Sequence, residues 1–240
     1  MKNKNTLKIA VLAVTTMAAF AMLPTSTRAD VYWNGTVSSD WSNAANWING
    51  LPSAGGAGSA VINPWGSFTT PSISSLGNTT VGQTYIATGG GLSVVVGGQL
   101  STVDLITGIW GNSGSVNVSG GALNISGLLN MGAGGFDGDV LISGGTLSAG
   151  SLSITTTGGA GMDLSGSGSF ITAASQLGNI NYWIAHNAIT ANGGLGTINV
   201  DSISQPGSIV LTVQAVPEPS TMALAIAGGT AMLCLRRHRK

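Results

Sequence analysis

The feature that most constrains this chain is a β pattern repeated at nearly fixed length. Ser115-Val-Asn-Val-Ser-Gly-Gly-Ala-Leu-Asn-Ile125 matches Asp139-Val-Leu-Ile-Ser-Gly-Gly-Thr-Leu-Ser-Ala149 position by position. The shared core is Val, x, Val/Ile, Ser, Gly, Gly, x, Leu. An earlier copy is Val94-Val-Val-Gly-Gly-Gln-Leu100, and a degraded later one is Met162-Asp-Leu-Ser-Gly-Ser-Gly-Ser-Phe170. Self-similarity at a period of roughly 22–24 positions marks an architecture of stacked supersecondary units. Within a unit the apolar positions alternate: Val116 and Val118, Leu123 and Ile125, Leu129 and Met131, with Asn117, Asn124 and Asn130 between them. Period-two alternation describes strands with one buried face.

Each run ends at glycine, and glycine at φ > 0 turns a corner without a side-chain clash. Three short strands and three corners fill one period, which makes it one rung of a coil. The expected fold is therefore all-β: a right-handed parallel β-solenoid, with layers about 4.8 Å apart and inward Val, Leu and Ile buried between layers. An antiparallel β-sandwich also has short strands and Gly-rich turns. The fixed repeat length favours the solenoid.

Exposed strand edges invite aggregation, so both ends of a solenoid need covering. Tyr32-Trp33, Asp40-Trp41 and Asn46-Trp47 gather half of the six Trp into one short stretch, which reads as the core of an N-terminal cap. A second possibility is that Trp33, Trp41 and Trp47 form a carbohydrate-stacking platform. After the repeats, Ile180, Trp183, Ile184 and Ala188 fit a short amphipathic helix. Positions 197–200 and 208–213, joined through Gln205-Pro206-Gly207, read as a closing strand pair. The expected organisation is 1–29 signal peptide, 30–84 Trp-rich cap and first strands, 85–172 repeats, 173–215 C-terminal cap and 216–240 sorting tail.

Charge separates the ends from the body. All eight Lys and Arg lie at positions 2, 4, 8, 28, 236, 237, 239 and 240, so residues 31–235 carry none. Three lysines, the apolar run 9–23 and small residues before Ala29 have the layout of a cleaved secretory signal, helical in its apolar part. At the other end Pro217-Glu218-Pro219 precedes a stretch of apolar or small residues, then Arg236-Arg237-His238-Arg239-Lys240. A helix over 222–235 spans about 21 Å, short for a full hydrocarbon core. It would act as a short transmembrane helix, with Arg236, Arg237, Arg239 and Lys240 as a basic stop-transfer cluster left cytoplasmic.

This tail resembles the PEP-CTERM sorting signal of exported Gram-negative envelope proteins, and the resemblance covers positions 216–240 alone. It implies recognition by an exosortase-like processing enzyme near Pro217, Glu218 and Pro219. It also implies a transient inner-membrane anchor, a cell-surface or extracellular destination, and an exopolysaccharide or biofilm-matrix setting. The Trp-Gly, Asp-Trp and Asn-Trp elements, with the repeats after them, resemble autotransporter-like surface proteins.

The body holds little suited to catalysis. Its one histidine is His186, and the only cysteine, Cys234, lies in the tail. No Gly-x-Ser-x-Gly falls between a strand and a helix. Without Lys or Arg there is no lyase base, nothing to neutralise uronates, and no phosphate-binding group for nucleic acid. Asp137 and Asp139, in a Gly-rich loop, are the one close carboxylate pair. They are the candidate catalytic residues of a degenerate polysaccharide hydrolase, and a weak candidate for Ca²⁺. No cofactor is expected. The reading is a non-enzymatic structural or adhesive protein in an exopolysaccharide context, with a carbohydrate-binding module as the alternative.

Overall fold

The computed structural model describes residues 29–52, 58–62, 69–74 and 78–214. The signal segment before residue 29 and the tail with Pro217, Glu218, Pro219, Arg236, Arg237, Arg239 and Lys240 lie outside the described residues. No described helix is long and apolar enough to cross a membrane.

Nearly all the regular structure is strand. The first four are short: β1 (Val31–Trp33), β2 (Trp47–Ile48), β3 (Ala60–Ile62) and β4 (Ser72–Ile73). The repeats form β5 (Asn78–Ala87), β6 (Gly90–Val94), β7 (Gln99–Ile109), β8 (Gly114–Met131), β9 (Gly138–Ile154), β10 (Met162–Leu164) and β11 (Ser169–Ala173). Among the described residues one α-helix, α1 (Leu177–Ala185), precedes β12 (Ile189–Ala191), β13 (Thr197–Asp201) and β14 (Ser208–Gln214).

These strands join in one mixed sheet whose path runs β13-β14-β11-β9-β8-β7-β5-β3-β1-β2. From β1 through β3, β5, β7, β8 and β9 to β11 every step is parallel. A second parallel path runs β4-β6-β8-β9-β10-β12. The long strands β8 and β9 belong to both. Antiparallel pairing closes the described sheet at its two ends, through β2 on β1 and through β14 on β11 and β13.

Register turns the repeat into columns of like residues. Leu100, Leu123, Leu147 and Phe170 are successive partners, and all four are fully buried. Val94, Val118, Ile142, Leu164 and Ala191 form a second buried column, and Leu92, Val116, Val140, Met162 and Ile189 a third. Burying each such side chain contributes roughly 1.5–3 kcal/mol, and no layer buries its inward residues alone. Asn117, Asn124 and Ser148 stand between them facing solvent or half-exposed, and Ser148 Oγ donates to Asn124 Oδ1 at 3.0 Å across layers.

Two details differ from the expectation. β8 and β9 run on as extended chain where separate short strands were expected, and only their pairing breaks, between Ser119 and Ala122 and between Ile125 and Leu128. Small residues stand at these points. Glycine is also needed there for a different reason than a left-handed φ. Gly98, Gly121, Gly145 and Gly168 stack in adjacent layers, yet only Gly145 has positive φ, +71°. A Cβ on Gly121 would collide with the carbonyl oxygen of Gly98, one on Gly145 with that of Gly121, and one on Gly168 with that of Ile142. The backbones pass too closely for any side chain.

Both ends carry buried anchors. In the N-terminal part Trp33, Trp41 and Trp47 are all buried, with Trp47 meeting the other two edge-on at centroid distances of 5.0 and 4.7 Å. Fully buried Asn46 ties the loop around them. Its Oδ1 accepts from the amides of Val37 and Ser38, and its Nδ2 donates to Ser38 Oγ and the Asp40 carbonyl. At the other end Ile180 and Trp183 of α1 enter the common core. β12, parallel to β10, is an additional strand that the sequence pattern did not reveal.

The glycine column makes a paired prediction. Gly121→Ala should lower stability by about 1–3 kcal/mol, the range for overpacking a tight site. Gly178→Ala, in α1 with nothing within 4 Å of an added Cβ, should raise it by about 0.5–1 kcal/mol. Thermal unfolding of both variants checks this; equal effects would contradict the close-approach account.

Candidate functional site

The outward face of four paired strands forms an open groove of about 420 Å³. Its floor follows from register. Ser115 of β8 lies beside Asp139 of β9, and Asn117, Leu141, Asp163 and Thr190 sit side by side across β8, β9, β10 and β12. Because strand side chains alternate, the inward neighbours Val116, Val140 and Met162 anchor this face to the core while the polar set points out. Leu141 is an apolar member, 40% exposed, and Asn187, with φ +57°, also lines the groove.

The two carboxylates differ in their surroundings. Asp163 Oδ1 accepts from Thr190 Oγ1 at 2.7 Å and from the Gly193 amide at 2.9 Å, which fixes its orientation. Asp139 has its acidity weakened, first by partial burial and then by the nearby negative charge of Asp137. Both causes disfavour the anion.

Of the pair picked out from sequence, Asp139 alone lines the groove, with Asp137 close enough for its charge to be felt there. Asp137 lies in the corner before β9, where its backbone carbonyl accepts from the Gly114 amide at 3.0 Å. The second carboxylate in the groove is Asp163, which sequence reasoning passed over. The signal was present: the repeat itself aligns Asp163 with Leu141 and so places it on the outward face. No group of three His, Cys, Asp or Glu able to hold a metal occurs among the described residues, so Asp137 and Asp139 have no third side-chain ligand of those types. His186 is not among the residues lining the groove. Its Nδ1 lies 2.8 Å from the Tyr182 carbonyl, and its ring stacks on Tyr182 at 4.1 Å. Ser115 therefore has no histidine beside it in the groove to act as a base.

The three indoles suggested as a sugar platform are buried in the cap, which corrects that alternative. Trp33 Nε1 donates to the Thr69 carbonyl at 2.6 Å and Trp47 Nε1 to the Trp41 carbonyl at 2.8 Å. Their faces pack on one another, and none is open to a ligand.

Chemically the groove offers hydroxyls, amides and carboxylates that accept and donate hydrogen bonds, and it contains no cation. The chain matches no family model, no curated protein and no solved structure.

The raised pKa of Asp139 makes a pH prediction. Below its ordinary value of 3.8 the group is protonated in both folded and unfolded chains, and it costs nothing. As pH rises through the higher folded value, the proton leaves a site that disfavours the anion, and stability is lost. Asp139→Asn should match the parent melting temperature near pH 3 and exceed it at pH 7. A gap that stays constant across that range would show that Asp139 does not titrate as described.

Proposed function

We propose that this chain is a non-enzymatic, exported cell-envelope or extracellular-matrix protein, structural or adhesive, built on a right-handed parallel β-solenoid. The observation that carries the reading is the continuous parallel register from β5 to β11, in which each layer pairs with the next at a nearly constant offset along the chain. β6 and β7 both pair with β8, while β10 and β11 both pair with β9, as successive segments of one coil do when they lie over the next layer. A body of this kind presents stacked rows of Asn, Ser and Thr over a large area. Such rows suit many weak hydrogen bonds to a polymer better than a single chemical step.

Export rests on the sequence. The basic, apolar and small-residue order of the first 29 positions supports secretion. Pro217-Glu218-Pro219, the apolar stretch and Arg236, Arg237, Arg239 and Lys240 support handling by an exosortase-like enzyme after transient anchoring in the inner membrane. Removing both ends strips every Lys and Arg from the chain and leaves seven Asp between positions 30 and 201, a product with side-chain charge of about −7. That product would have no attraction for nucleic acid and would repel anionic lipid. Neutral exopolysaccharide fits it better.

Replacing Pro217, Glu218 and Pro219 with alanine should leave a membrane-associated precursor, heavier than the parent product by the uncleaved tail. Intact mass and fractionation read this directly. Identical mass and location for the two chains would remove the sorting hypothesis.

A further inference from the structure

The corner between β7 and β8 holds a residue that folding alone does not explain. Trp110 is 59% exposed, and its backbone has φ +56°. A bulky residue in the left-handed region is an outlier. Such conformations persist where the surrounding structure over-determines them, and they cluster at ligand-binding sites. The preceding layer shows what the turn itself requires. There Thr88 and Gly89 take φ +52° and +73°, as Trp110 and Gly111 take +56° and +89°. Two consecutive positive values are met most easily by Asn or Gly. At this position the chain has its largest side chain and leaves it in water.

The ring is held in place. It stacks on Tyr85 with centroids 5.9 Å apart and planes 26° from parallel. The Tyr85 hydroxyl donates to Gln83 Oε1 at 2.7 Å, and Gln83 Nε2 donates to Asp104 Oδ2 at 3.0 Å. Asp104 Oδ1 accepts from the Leu128 amide at 2.8 Å, so this hydrogen-bonded chain ends on the backbone of β8. Gln83 and Asp104 are register partners, and Tyr85 lies two positions along the same outward face. A stacked aromatic pair beside a fixed row of polar groups is therefore in place before any ligand arrives.

We propose that Trp110 and Tyr85, with Gln83 and Asp104 beside them, form a stacking site for an uncharged hexose unit of a polysaccharide. A pyranose has an apolar C–H face that packs on aromatic rings and equatorial hydroxyls that reach flanking amides and carboxylates. The charge layout selects against anionic sugars, because residues 31–235 contain no Lys or Arg to meet a carboxylate or sulfate. An organic cation is a poorer fit, since the two rings lie against each other rather than enclosing a cavity. The site deepens the adhesive reading of the body and is independent of the sorting tail.

The test is calorimetric titration of the purified full-length chain with cellohexaose, laminarihexaose, N-acetylated chitohexaose, hexagalacturonate and choline. Binding of at least one neutral hexamer is expected, with none to hexagalacturonate or choline. Trp110→Gly should weaken that binding at least tenfold while leaving the melting temperature equal or higher, because glycine relieves the backbone. Tyr85→Phe, which keeps the ring and cuts the tether to Gln83, should weaken it less. The proposal is overturned if no neutral hexamer binds, if Trp110→Gly binds as the parent does, or if hexagalacturonate or choline is preferred. It is equally overturned if Trp110→Gly lowers the melting temperature, since the indole would then be serving the fold. A chain that is processed at its tail but binds no hexamer would leave the export proposal standing and remove this site.

Discussion

At the column formed by Gly98, Gly121, Gly145 and Gly168, successive layers of the sheet come closer than a Cβ allows. Much else depends on that approach. It holds the layers of β7, β8, β9 and β11 in one register, and register puts Leu100 under Leu123, Leu123 under Leu147 and Leu147 under Phe170. In a parallel sheet, a slip of one residue would send every one of these side chains to the solvent face. The hydrogen-bond ladder tolerates such a slip, but the glycine column does not. Glycine thus acts here mainly through the side chain it lacks. Its abundance accompanies close backbone packing.

The described sheet ends on antiparallel strands at both sides, and the residues that end its parallel path matter as much as those that continue it. At the C-terminal side β14 reverses direction against β11, and α1 brings Ile180 and Trp183 into the core. At the N-terminal side β2 turns back on β1 over the buried Trp33, Trp41 and Trp47. An antiparallel strand offers a different hydrogen-bond spacing from a parallel one, so a further parallel layer cannot add in the same register. Large buried aromatics then cover the apolar interior that the last layer would otherwise expose.

The layers that repeat were legible in the sequence because the same inward positions recur at nearly fixed spacing, and the closing helix and strand pair were legible from their own periodicities. What escaped notice did so for physical reasons. β1 joins the parallel path at a wider shift, with Val31 beside Ala60, so the period does not mark it; β3 joins within the period, Ala60 beside Thr84, but its Ala-Val-Ile lacks the alternation of the later copies. β12 follows a helix inserted into its layer, and this hides the match between Ile189 and Met162. In the groove, Asp139 was found by its proximity in sequence to Asp137, which does not itself line the groove, while Asp163 had to be found by register. The Trp residues show the same limit. Composition drew attention to the cluster that is buried, and only backbone conformation and exposure distinguish Trp110.

A body without Lys or Arg must satisfy its acids in another way, and the manner in which it does so is informative. Asp30 accepts from the Ser59 amide, Asp40 from Ser42, Asp104 from Gln83 and Leu128, Asp163 from Thr190 and Gly193, and Asp201 from Ile203 and Ser204. Neutral donors thus take the place of cations, and ionic strength has little to screen in such contacts. Asp139 follows a different rule, since its nearest charged influence is another acid. Trp110 departs in parallel from the rule that large apolar groups are buried. Asp139 stands in β9 and Trp110 in the corner before β8, and the Gly114 amide at the start of β8 meets the Asp137 carbonyl at 3.0 Å. A chain this regular elsewhere has less costly residues for both positions. Val96, Leu195 and Ile203 are exposed as well, so Trp110 is set apart less by exposure than by carrying a large ring on a left-handed backbone and holding it against Tyr85.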